Sequence, residues 1–278
     1  MKSCKNSIRM PIPETYLAFQ ELTETEEWER IRTYDEGRLN VRCVTAANGQ
    51  SALVVGDTAL PQSIPNFTCL HVVSTSAIQP RIENTRNVIA FVAEWRDHAC
   101  LFAIGLVNDV SEQLINAILT DVKEQFLPRH QLTSITTLFD WKWRDAARNV
   151  FEGITIKLTF EQYCSTVLHH ARHVVDLDNP LHEQVLYKLI CVALEFPGSM
   201  IECFNVLWES MSHELIAAFL PLLSWYLNVL LMAIRPEQLS LANNFTAFHV
   251  VETKIRVILT HRRQRYPVPL RGYSTKNV

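Results

Sequence analysis

The chain has 278 residues, with 26 Lys and Arg against 29 Asp and Glu, 48% hydrophobic side chains and 20% charged ones. That length holds one large domain or two ordinary ones, and the composition excludes a disordered chain, a collagen-like fibre and a highly charged coiled coil. A net charge of −3 gives no support to a nucleic-acid coat protein, and seven glycines leave little for a glycine-rich phosphate loop.

Residues 13–32 are predicted as one helix, with Thr23 and Glu26 at capping-box spacing and Leu22, Trp28 and Ile31 as an apolar stripe. Gly37 stops it. Leu39, Val41 and Cys43 then alternate with Arg38, Asn40 and Arg42, and Asn48-Gly49 leads into a return strand over 51–55. That pattern predicts a hairpin, because Asn and Gly tolerate the positive φ of tight turns. After a Pro-containing loop, strands are expected near 67–73, 88–95 and 100–107, the last two antiparallel and buried. Asp109 and Glu112 suggest a second capping box, followed by Leu114, Ile115, Ile118, Val122 and Phe126 at helical spacing. Alternation at Ile135, Thr137, Phe139, Trp141 and Trp143, and again at Ile154, Ile156, Leu158 and Phe160, predicts a second hairpin.

From residue 161 strand signals fade and five helical segments follow, punctuated by Asp178-Asn179-Pro180, Pro197-Gly198 and Pro236. The expected fold is α+β: an antiparallel sheet of about six or seven strands with one or two helices, then a C-terminal helical bundle. The boundaries fall at 1–160 for the sheet domain, 161–262 for a helical domain packed on it, and 263–278 for a basic tail containing prolines. Residues 215–234 carry no charge over 20 positions, enough to cross a bilayer, though a central bundle helix surrounded by neighbours reads the same way and is preferred.

Seven cysteines, an odd number without a C-x2-C pair, point to an intracellular protein, cytoplasmic or nuclear. His169 and His173 are four apart and share a helical face, so with Asp176 they are candidate metal ligands of a hydrolase-like enzyme. The same histidines also fit a wet helix surface, and phosphate-loop, dinucleotide-binding and nucleophile-elbow motifs do not occur. No cofactor is expected. Residues 254–278 hold seven basic side chains and no carboxylate, leaving a net of −10 on the remainder. Arg262, Arg263 and Arg265 in that stretch are candidate contacts to an acidic protein partner, nucleic acid or anionic lipid. Trp141 and Trp143, on one side of a predicted strand, are either partner anchors or core tryptophans.

Pro180-Leu181, Val185 and Leu189 have a spacing similar to the short helix by which substrate receptors grip the elongin adaptor of cullin ubiquitin ligases. The resemblance is confined to that helix, and Val185 stands where a small Cys or Ala is usual. Taken together, these features favour a non-enzymatic interaction subunit or adaptor with a basic docking tail. The metal-dependent hydrolase and a membrane protein spanning at 215–234 are the alternatives.

Overall fold

The alternating stretches do form a sheet, but a larger and mixed one. The computed structural model describes residues 13–240 apart from 35–36, 65–66, 77–79, 96–97, 159, 177 and 235. Two short helices open the chain, α1 (Tyr16–Thr23) and α2 (Glu26–Arg32). They are not the single expected helix, because Thr25 is extended (ψ 153°) and breaks the run. Thr15, not Thr23, caps α1, accepting from the Ala18 N–H, and Ile31 faces solvent.

Next come β1 (Thr33–Tyr34), β2 (Gly37–Thr45) and β3 (Ser51–Asp57). The β2–β3 hairpin closes through Ala46 N–H to Gln50 O (2.8 Å) and Gly49 N–H to Ala46 O (2.9 Å). Only Gly49 of the Asn-Gly pair takes a positive φ, +81°, as in a three-residue loop with glycine at its left-handed position. A short helix, α3 (Ala59–Ser63), leads to β4 (Cys69–Thr75), β5 (Asn87–Trp95) and β6 (His98–Val107), an antiparallel meander. Then follow α4 (Glu112–Phe126), β7 (Ser134–Thr137), α5 (Trp141–Val150) and β8 (Thr155–Leu158). The cap of α4 is Ser111, which accepts from the Leu114 N–H, rather than Asp109. All five predicted apolar positions of α4 are buried.

The eight strands lie in the order β1-β2-β3-β6-β5-β4-β7-β8. The sheet is therefore mixed, not antiparallel, since β4 pairs parallel with β7 and β7 parallel with β8. The expected second hairpin does not exist. Asp140 caps a helix instead, and α5 supplies the crossover that two parallel strands need. One sheet face packs under α4 and α5, through Leu70, Val72, Phe91 and Ile135 against Ile118, Phe126 and Trp143. The other carries Leu53, Val73, Ala90 and Val92 against Tyr16 and Phe19 of α1. Gly56 of β3 leaves room for the end of α4: a Cβ there would sit 2.6 Å from both the Phe126 ring and the Phe102 carbonyl oxygen.

Beyond β8 the chain is helical: α6 (Phe160–Ala171), α7 (Pro180–Cys191), a single 3-10 turn (Val192–Leu194), α8 (Pro197–Glu209) and α9 (His213–Trp225). A π-helical segment (Tyr226–Ile234) extends α9, and α10 (Pro236–Leu239) follows. Asn179 caps α7 with Pro180 in its first turn, where a missing N–H costs nothing. These helices share a core of their own, joined to the sheet edge through Leu158 and Phe139. Among the described residues, the helices on the two sheet faces are thus α1, α4 and α5, and the C-terminal helices meet the sheet at its β8 edge.

Candidate functional site

Parallel strands tend to gather ligand sites at their carboxyl ends, where successive connections diverge. Here β7 and β8 end side by side, and a cleft of about 520 Å³ opens beside Phe139 and Leu158. That volume is in the range of ordinary ligand pockets. Each wall comes from a different element. The turn after β7 brings Asp140, whose carboxylate accepts the Lys142 N–H at 2.9 Å and starts α5. Trp141 and Arg144 of α5 and His170 of α6 also line the cleft. Trp225, at the end of α9, stacks on the His170 ring with centroids 3.9 Å apart. Val229, Ala233 and Ile234 of the π segment complete the wall.

The position of that wall is set in the bundle core. The Tyr163 and Tyr226 hydroxyls lie 2.7 Å apart, and both reach the Leu189 carbonyl oxygen, at 3.2 and 3.1 Å. This triangle ties α6, α7 and the first residue of the π segment together, one residue after Trp225. Burial holds both phenols well above their usual range, so they stay neutral donors. Partial burial, and then the neighbouring His169 and His173, hold His170 below its usual range, so it meets the Trp225 indole as a neutral ring.

The predicted site residues are dispersed. Trp141 and Trp143 are on a helix, not a strand, so a spacing of two turns them apart: Trp141 is 56% exposed at the cleft and Trp143 is 2% exposed in the core. His169 and His173 do meet, with ring centroids 5.3 Å apart on an exposed face. Asp176 does not join them, and among the described residues no group of three or more His, Cys, Asp or Glu is arranged to hold a metal. Arg262, Arg263 and Arg265 lie outside the described residues. In α7, Val185 and Leu189 are committed to the bundle core while Leu181 is exposed, so core packing accounts for the spacing that resembled an elongin-gripping helix.

A second polar cluster was not foreseen. His71, in the middle of β4 and 3% exposed, places Nε2 3.2 Å from Glu94 Oε2 on β5. Cys69, two residues back on the same face of the strand, lies beside the ring, with its Sγ 4.0 Å from Thr136 Oγ1 of β7. Burial pulls the imidazole pKa down, but hydrogen bonds to Cys69 and Glu94 outweigh it and push it up to about 9. A raised pKa means stability that is fully present below the unfolded value of 6.5 and lost as pH rises through about 9. The shift sets an upper figure of about 3 kcal/mol. His71→Gln is therefore expected to cost more in urea unfolding at pH 6 than at pH 9.5, and equal costs at both would contradict the ion pair.

No family model matches the chain, and no curated protein is detectably similar to it in sequence.

Proposed function

We propose that this protein is a non-enzymatic interaction subunit or adaptor that binds a protein partner along α9, the π segment and the adjoining cleft. The observation that carries this reading is one apolar helix left half bare. The run His213–Ile234 has a mean hydropathy of 2.0 in its most apolar stretch, of which 33% is buried. Phe219, Leu222, Leu223, Tyr226, Leu230 and Leu231 pack inward, whereas Leu220, Val229 and Met232 stay exposed, Met232 at 62%. A helix enclosed on all sides would have hidden them. Val229 also lines the cleft, so bare helix and cleft form one surface with Trp141, a residue type enriched in interface hot spots.

The basic stretch holding Arg262, Arg263 and Arg265 is the second element of the proposal, a tail that docks an acidic partner. An intracellular setting, cytoplasmic or nuclear, belongs to the same reading on the odd cysteine count. The test is proximity labelling in cells with the wild type, with Trp141→Ala/Val229→Asp/Met232→Asp, and with Arg262→Ala/Arg263→Ala/Arg265→Ala. Both variants are expected to fold and to lose a shared set of labelled partners. An unchanged set, with purified protein monomeric by light scattering, would sink the proposal. Membrane association is the second reading, favoured by the same 22-residue run; retention in the pellet after carbonate extraction would support it instead.

A further inference from the structure

We propose that Cys69 is a reactive thiol, a site at which peroxide forms a sulfenic acid, assembled from Cys69, His71 and Glu94 where β4, β5 and β7 run side by side. The arrangement is a relay of three different groups on neighbouring strands. The alternation of β4 puts the Cys69 thiol and the His71 ring on the face opposite α4 and α5, since Leu70 and Val72 point to those helices. Glu94 comes to the ring from β5, where Leu70 pairs with Ala93, and accepts from Nε2 at 3.2 Å. Thr136 approaches the sulfur from β7, through the parallel register that sets Cys69 opposite Ser134.

Each member has a distinct part. Glu94, accepting from Nε2, favours the doubly protonated, cationic form of His71 beside the sulfur. A cation beside a thiol favours the thiolate, the form that reacts. Burial raises the Cys69 thiol, but the His71 hydrogen bond and charge, with help from Ser134 and Thr136, bring it below its ordinary range. The other half-buried thiols with a resolved shift, Cys43, Cys100 and Cys203, all move the opposite way, burial being the main cause. Cys69 retains partial exposure, so a reagent as small as hydrogen peroxide has access.

In the step itself the thiolate sulfur attacks one peroxide oxygen, forming an S–O bond as the O–O bond breaks. Sulfur is oxidised by two electrons to the sulfenic acid, and the departing hydroxide takes a proton from the His71 imidazolium to become water. His71 is thus both the counter-ion of the nucleophile and the proton donor to the leaving group.

The experiment treats full-length protein at pH 7 with substoichiometric hydrogen peroxide in the presence of dimedone, then locates adducts by peptide mass mapping. The adduct is expected on Cys69 several-fold above Cys191, although Cys191 is the more exposed. His71→Gln is expected to lower it about tenfold and Glu94→Gln to lower it less. A circular dichroism melt shows whether each variant is folded. Should His71→Gln not fold, the wild-type pH profile decides: the reaction of Cys69 must persist to lower pH than that of free N-acetylcysteine treated in parallel. The proposal is overturned by an adduct at Cys69 no greater than at Cys191, by no effect of His71→Gln in folded protein, or by coincident pH profiles.

Discussion

Trp143→Ala is expected to destabilise the protein by about 3–5 kcal/mol, while Trp141→Ala two residues away should change stability by no more than about 0.5 kcal/mol. The contrast follows from one helical geometry. Trp143 is among the largest fully enclosed side chains and packs with Ala146, Ala147, Ile135 and Ile156 between α5 and the parallel strands. Truncation removes its transfer free energy and leaves a cavity that two flanking alanines cannot fill. Trp141 stands in the open mouth of the cleft and supports little of the core. Urea unfolding of the two variants measures the difference. If they lost stability equally, the assignment of one tryptophan to the core and the other to the partner surface would fail.

Tyr226→Ala should cost a similar amount, about 3–5 kcal/mol. The ring is fully buried, stacks on Phe204 with centroids 5.5 Å apart, and its hydroxyl closes the triangle with Tyr163 and Leu189. Tyr226→Phe keeps the ring and removes one polar atom. Since the Tyr163 hydroxyl still reaches the Leu189 and Ile190 carbonyls, at 3.2 and 3.3 Å, that change should cost about 1 kcal/mol. Because Tyr226 fixes where Trp225 sits, Tyr226→Ala should also release Trp225 from His170, seen as a red shift in tryptophan emission measured below the unfolding transition. An unshifted spectrum would mean that the cleft is held from elsewhere.

Local signals were legible in the sequence and distant ones were not. The β2–β3 hairpin is written in strict alternation plus a glycine, and α4 in five apolar residues at helical spacing, all within a few turns of chain. Residues 135–143 misled because Phe139, Trp141 and Trp143 continue the alternation of β7. The competing sign, Asp140 as a helix cap, is a single residue. Parallel pairing of β7 with β4 cannot be seen locally, since it depends on where α4 returns the chain. The run 215–234 showed its apolarity plainly but not which half of its surface has neighbours. The cleft draws on residues from the β7–α5 turn to the π segment, so no stretch of sequence displays it. His71 looks like one polar interruption in an apolar strand, and its partner Glu94 is chosen by the β4–β5 register.

The interior place of β4 governs where this chain can be cut. β4 is hydrogen-bonded on one side to β5, close by in sequence, and on the other to β7, which arrives only after α4. A fragment ending ahead of Ser134 would leave an inner, apolar strand with a free edge, a template for pairing with other chains. A fragment ending just past Leu158 would retain all eight strands and finish on a four-residue border strand that offers little to copy. The same asymmetry applies during synthesis: until β7 emerges from the ribosome, the flank of β4 that it will cover is unprotected.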